Sequence, residues 1–76
     1  MSWPDRIVIN ERVMVGKPVI KGTRVTVELV LELLAGGWST QKIMREYPGL
    51  VKEDILACID YAREQVSEMH VFPLSR

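Results

Sequence analysis

A single cysteine and a single histidine stand in a chain of 76 residues. Cys58 has no second thiol with which to close an intramolecular disulfide, and no group of residues has metal-ligand spacing. Neither a disulfide framework nor a metal site is expected, and a reducing cytoplasm fits the chain best. Net charge is lacking too, since ten Lys and Arg balance ten Asp and Glu. Apolar runs are far too short to span a bilayer, and the opening residues, with Trp3, Pro4 and Asp5, lack the basic-then-apolar pattern of a secretory signal. Membrane insertion and secretion are therefore not expected. Catalysis is equally poorly provided for. His70 has no second His or nearby Cys to complete a base and nucleophile pair, and Cys58 at helical spacing reads as a small buried hydrophobe. Glu53, Asp54, Asp60 and Glu64 read as a solvated helix face. The chain is read as a non-enzyme that needs no cofactor.

What is present is enough to fold. An apolar fraction of 47% against 26% charged residues lies well away from the composition of disordered chains. The length still sits near the lower limit for a self-sufficient core, because a chain of about 60 residues buries only about 60% of its unfolded surface. Help from a partner subunit is expected. The charges are also unevenly placed. Arg6, Arg12, Lys17, Lys21 and Arg24 face only Asp5 and Glu11 in the first third, whereas the stretch after Tyr47 is acidic. That asymmetry suits an anionic partner at one end, or head-to-tail contact between subunits.

Three segments follow from the pattern. Residues 1–25 read as an N-terminal β arm: Arg6 to Asn10 is a short β-branched run, Arg12 to Val15 offers a second strand, and Val19 and Ile20 resume extended structure between breaks at Gly16-Lys17-Pro18 and Gly22-Thr23-Arg24. Residues 26–68 read as three helices. Val27, Val30, Leu31 and Leu34 share one helical face after a Thr26 cap, and Gly36-Gly37 stops the helix. Ser39 caps a second helix over Thr40 to Glu46 with Ile43, Met44 and Tyr47 inward, and Pro48-Gly49 turns the chain. A third helix runs from about Lys52 to Val66 with Ile55, Ile59, Ala62 and Val66 inward. Residues 69–76, broken by Pro73, form a C-terminal tail. The fold class is mainly α, a short β hairpin or arm followed by a three-helix bundle of helix-turn-helix layout.

The motifs Gly16-Lys17-Pro18-Val19-Ile20-Lys21-Gly22-Thr23-Arg24-Val25, Leu34-Ala35-Gly36-Gly37-Trp38-Ser39, Tyr47-Pro48-Gly49-Leu50, Glu53-Asp54-Ile55 and Tyr61-Ala62 go further. Over roughly Ile7 to Val66 they resemble the domain of unknown function 433 family. The resemblance implies a homeodomain-like helix-turn-helix protein and a VapB-type antitoxin of a type II toxin-antitoxin system. Such a protein neutralises a PIN-like ribonuclease toxin, binds operator DNA and represses its own operon. Two positions depart from the family pattern. Val15 stands where a glycine is usual, and Val51 stands where a Thr or Ser caps the third helix.

If DNA is bound, the third helix enters the major groove by its N-terminal residues, and Lys52 is the helpful one there. Lys17, Lys21 and Arg24, grouped around two glycines, are the candidate phosphate contacts. The alternative is structural: Thr23 closes a turn and Arg24 pairs with Glu28 or Glu32. Against an acidic toxin site the natural block is an inserted cation, for which Arg63 and Arg76 are the candidates. Leu29, Leu33 and Trp38 either form an exposed apolar edge that builds a homodimer or close the monomer core, and unpaired strand edges are a second route to a dimer. The acidic third helix favours a runner-up function, a protein interaction module with this fold and no DNA binding.

Overall fold

The computed structural model describes residues 3–12 and 14–68. Its elements are β1 (Ile7–Ile9), β2 (Pro18–Ile20), α1 (Val27–Ala35), α2 (Thr40–Glu46) and α3 (Lys52–Ser67), with single 3-10 turns at Trp3–Asp5 and Met14–Gly16. The chain is mainly helical, with an N-terminal two-stranded antiparallel hairpin. The segment 69–76, including His70 and Arg76, lies outside the described residues.

β1 pairs antiparallel with β2 in the register Ile7 to Ile20, Val8 to Val19 and Ile9 to Pro18. Pro18 sits at the first position of its strand, where the absence of an N–H is tolerated. The expected strand over Arg12–Val15 does not form. Met14–Gly16 is a 3-10 turn, and Val15 adopts the left-handed conformation at φ 56°, ψ 42°. An apolar pair in this stretch cannot extend because the chain must reverse between Ile9 and Pro18 for β1 to meet β2.

Helix α1 begins on Thr26, whose Oγ1 accepts from the Leu29 N–H at 3.0 Å. Its end is a Schellman motif. The Trp38 N–H donates to the Leu33 carbonyl and the Gly37 N–H to the Leu34 carbonyl, each at 3.0 Å. Gly37 holds φ +94°, a left-handed value that glycine adopts without a Cβ clash. Ser39 caps α2 by accepting from the Lys42 N–H at 3.0 Å. After α2, residues 47–51 turn the chain into α3, and the Leu50 N–H donates to the Tyr47 carbonyl at 2.9 Å.

One core unites the hairpin and the helices: Ile7, Ile20, Val27, Val30, Ile43, Leu50, Ile55, Ala57 and Cys58. The N-terminal arm is part of this core. Leu33 and Trp38 pack half-buried against it, as expected of residues that close the monomer, and Leu29 is also half-buried. On α3 the expected inward residue Ile55 is fully buried, but the rest of the face differs from the expected one. Ile59 and Val66 are 43% and 64% exposed, while Asp54, Ala57 and Cys58 are buried. The buried residues of α3 stand at positions 54, 55, 57 and 58, with Tyr61 half-buried one turn further on. Ile55 is the one large aliphatic side chain among them; the other buried residues are small or polar, and Leu56, Ile59 and Val66 lie exposed beside them.

Candidate nucleic-acid interface

Lys21 and Arg24 share the short turn that follows β2. The Ile20 N–H donates to the Val25 carbonyl at 2.9 Å, closing the turn, and Gly22 takes φ +81° inside it. Thr23 is fully engaged. Its hydroxyl donates to the Ile20 carbonyl at 2.8 Å and accepts from the Val25 N–H at 3.0 Å. Lys21 and Arg24 are exposed, and Arg24 makes no ion pair among the described residues. Glu28, a suggested partner of Arg24, instead takes Lys17 at 3.0 Å, with both side chains largely solvated.

This turn is linked to the start of α3 through Arg6. The Lys21 N–H donates to the Arg6 carbonyl at 2.8 Å, and Arg6 Nη1 lies 3.0 Å from Asp54 Oδ1. The other carboxylate oxygen of Asp54 accepts from the Val51 N–H at 3.0 Å. Val51 has no side-chain acceptor, so only this half of a capping box exists. Asp54, at 7% exposure, thus offsets burial of its charge with a guanidinium and a backbone donor. Lys52 stands exposed two residues earlier, in the first turn of α3 and next to Glu53.

The four proposed DNA contacts therefore divide. Lys21 and Arg24 occupy one turn, joined through Arg6 to the helix end that carries Lys52. Lys17 lies beyond the opposite end of β2, four residues or about 13 Å of extended chain from Lys21. Of the proposed toxin contacts, Arg63 is paired within its own helix, its Nη2 lying 3.1 Å from Asp60 Oδ1. Arg76 lies outside the described residues. The link from Arg6 to Asp54 is the feature that reading along the chain misses, because the two residues are 48 apart and no local spacing joins them.

Some large apolar side chains are also exposed. Leu56 and Ile59 are 41% and 43% exposed on the outer side of α3. Trp3 packs edge-on against Tyr61, with centroids 4.8 Å apart, and its buried indole N–H has no acceptor among the described residues. Lys42 lies over the Trp38 ring, 4.2 Å from its centroid, a cation–π contact that fixes the linker between α1 and α2. Burial pushes the Cys58 thiol up from 9.0 to about 12, with the nearby Asp54 carboxylate adding to the effect. Such a thiol holds its proton and is a poor nucleophile. Among the described residues no cluster of His, Cys, Asp or Glu could hold a metal ion, and no helix is long and apolar enough to cross a membrane.

Comparison with known proteins adds kinship. A solved relative, a DUF433 member protein from Anabaena variabilis, superposes with a TM-score of 0.77 at 27% identity over 83% of this chain. The chain spans 62% of that protein, less than two thirds of its length. An uncharacterized protein of Archaeoglobus fulgidus is 62% identical over 24 residues, which make up 32% of this chain and 67% of the relative. The sequence profile described as "Protein of unknown function (DUF433)" matches residues 7–62, from β1 well into α3. With that span matched and the fold shared with a solved member, the chain belongs to the DUF433 family.

Proposed function

We propose that the chain is a VapB-type antitoxin of a type II toxin-antitoxin system: a DNA-binding autorepressor that acts as a homodimer and neutralises a PIN-like ribonuclease toxin. The observation that carries the DNA half of this reading is the joined basic end. Lys21 and Arg24 extend from a turn that Arg6 ties to the first turn of α3, where Lys52 is exposed. Helix-turn-helix proteins present the N-terminal end of the second helix to the major groove and hold it with phosphate contacts from neighbouring elements. A homodimer supplies two such ends for two half-sites. Toxin neutralisation is assigned to Arg63 and Arg76, as cations for an acidic nuclease centre.

The test is titration of the purified protein against the DNA upstream of its own gene and against a scrambled duplex, at two salt concentrations. Specific binding that weakens as salt rises is the expected result. Absence of binding even at low salt removes the repressor reading. A second reading, an interaction module without DNA affinity, is favoured by Leu56 and Ile59. They are exposed on the outer side of α3, where phosphate-directed cations are few.

A further inference from the structure

Between α1 and α3 lies a groove of about 530 Å³. Its α1 wall is the stripe Val27, Leu31 and Ala35, spaced i, i+4 and i+8, and its α3 wall includes Ala62 and Val66, again four apart. Glu28 and Glu32 stand on its rim with Lys17. Glu28 is matched by Lys17 at 3.0 Å, whereas Glu32 has no ion pair among the described residues. The wall on α3 is itself partly bare, Val66 being 64% exposed. An apolar floor with a rim carboxylate unpaired among the described residues suits a segment that carries apolar side chains, a cation and no acid of its own.

The sequence contains such a segment directly beyond the groove. Residues 69–76 read Met-His-Val-Phe-Pro-Leu-Ser-Arg, without an Asp or Glu, and begin three residues after Val66. We propose that this segment docks in the α1/α3 groove of its own chain, with Val71, Phe72 and Leu74 against the apolar walls and Arg76 toward Glu32. The reach is sufficient. Eight extended residues span at most about 26 Å, against about 12 Å of α1 from Val27 to Ala35 at 1.5 Å per residue. The short tether raises the local concentration of the segment at the groove. The arrangement makes the segment a built-in competitor for any protein that uses this groove, since such a protein must first displace it.

Nuclear Overhauser contacts in the full-length protein test this directly. Phe72 ring protons are expected to show contacts with the methyls of Leu31, Ala62 and Val66 in dilute solution. Phe72→Ala should then shift those three methyl signals and leave that of Ile43, buried deep in the core, in place. A one-to-one mixture of isotope-labelled and unlabelled protein separates contacts within a chain from contacts between chains. Absence of the contacts, with methyl positions unmoved by Phe72→Ala, overturns the proposal. Contacts found only between labelled and unlabelled chains overturn it as well, by assigning the groove to a second copy.

Discussion

Val15 carries a β-branched side chain in the left-handed region at φ 56°, and it is 93% exposed, so no packing repays the clash of its Cβ with the backbone. That conformation costs an L-residue roughly 1–2 kcal/mol, and part of the relief from Val15→Gly is lost to the greater freedom of glycine in the unfolded chain. The expected net gain is about 0.5–1 kcal/mol, read as a higher urea midpoint with an unchanged slope. The family pattern marks this position in the sequence, because a glycine usual at one site points to a turn that only glycine enters freely. Asp54 is the opposite case. Nothing around it announces a buried charge, and its partner Arg6 lies 48 residues away. Asp54→Ala removes the acceptor of the Val51 N–H and strands the guanidinium, and is expected to cost about 2 kcal/mol; Asp54→Asn, which can still accept from Val51, should cost less in the same urea titration. Cys58 gives a pH signature. Its thiol is neutral in the fold up to about pH 12 and ionises in the unfolded chain from about 9.0. The unfolded state thus binds fewer protons across that window, and its contribution to stability falls as pH rises, by at most about 1.4 kcal/mol per pH unit. Urea unfolding at pH 8 and pH 10.5 should show a steeper loss for the natural chain than for Cys58→Ala.

Helices α1 and α2 were legible because their boundaries are local. Thr26, Ser39 and the Gly36-Gly37 pair act on groups three or four residues away, and each makes the bond that its residue type predicts. The start of α3 was legible as a deficiency, since Val51 cannot accept a hydrogen bond and makes no side-chain cap. The Asp54 N–H now donates to the Val51 carbonyl at 3.0 Å; Val51→Ser offers it the side-chain acceptor that the cap lacks and completes the box that Asp54 already half forms. It is expected to stabilise by about 0.5–1 kcal/mol, measured by thermal unfolding, with slower exchange of the first α3 amides. The inward face of α3 was legible only in part: Ile55 is buried as its spacing predicts, but periodicity weighs large aliphatic residues most heavily and misplaces the rest. Here the buried face holds Asp54, Ala57 and Cys58 beside Ile55, and Ile59 and Val66 turn outward. The reason is crowding. α3 packs against α1, α2, β1 and the Trp3–Asp5 turn together, so small side chains fit where neighbours converge. The supposed strand at Arg12–Val15 failed for a related reason, since the pairing of Ile7 with Ile20 leaves that stretch to reverse direction.

For the assembled molecule, the charge asymmetry noted in the sequence acquires a place: the basic turn at Lys21 and Arg24 and the first turn of α3 meet through Arg6. Neutralising Lys21, Arg24 or Lys52 one at a time is expected to weaken DNA binding on all sequences and to lower the salt slope by about one each. Lys17→Gln should change that slope less, because the amine it removes is already matched by Glu28 at 3.0 Å. A salt titration over the four variants checks both statements. The candidate cations were legible as residue types, while their division into a joined set and an outlier depends on pairings that only the folded chain displays. The tie between Arg6 and Asp54 also sets an order of events as the chain is made. The hairpin can close as soon as Ile20 is available, yet its link to α3 must wait until residue 54 has left the ribosome and begun to coil. Until then β1 lacks its contacts with α3, although β2 can already pack on α1, and the domain gains its fixed shape only once α3 has formed. For a protein of this size, the nascent form is accordingly the one most open to capture by other chains.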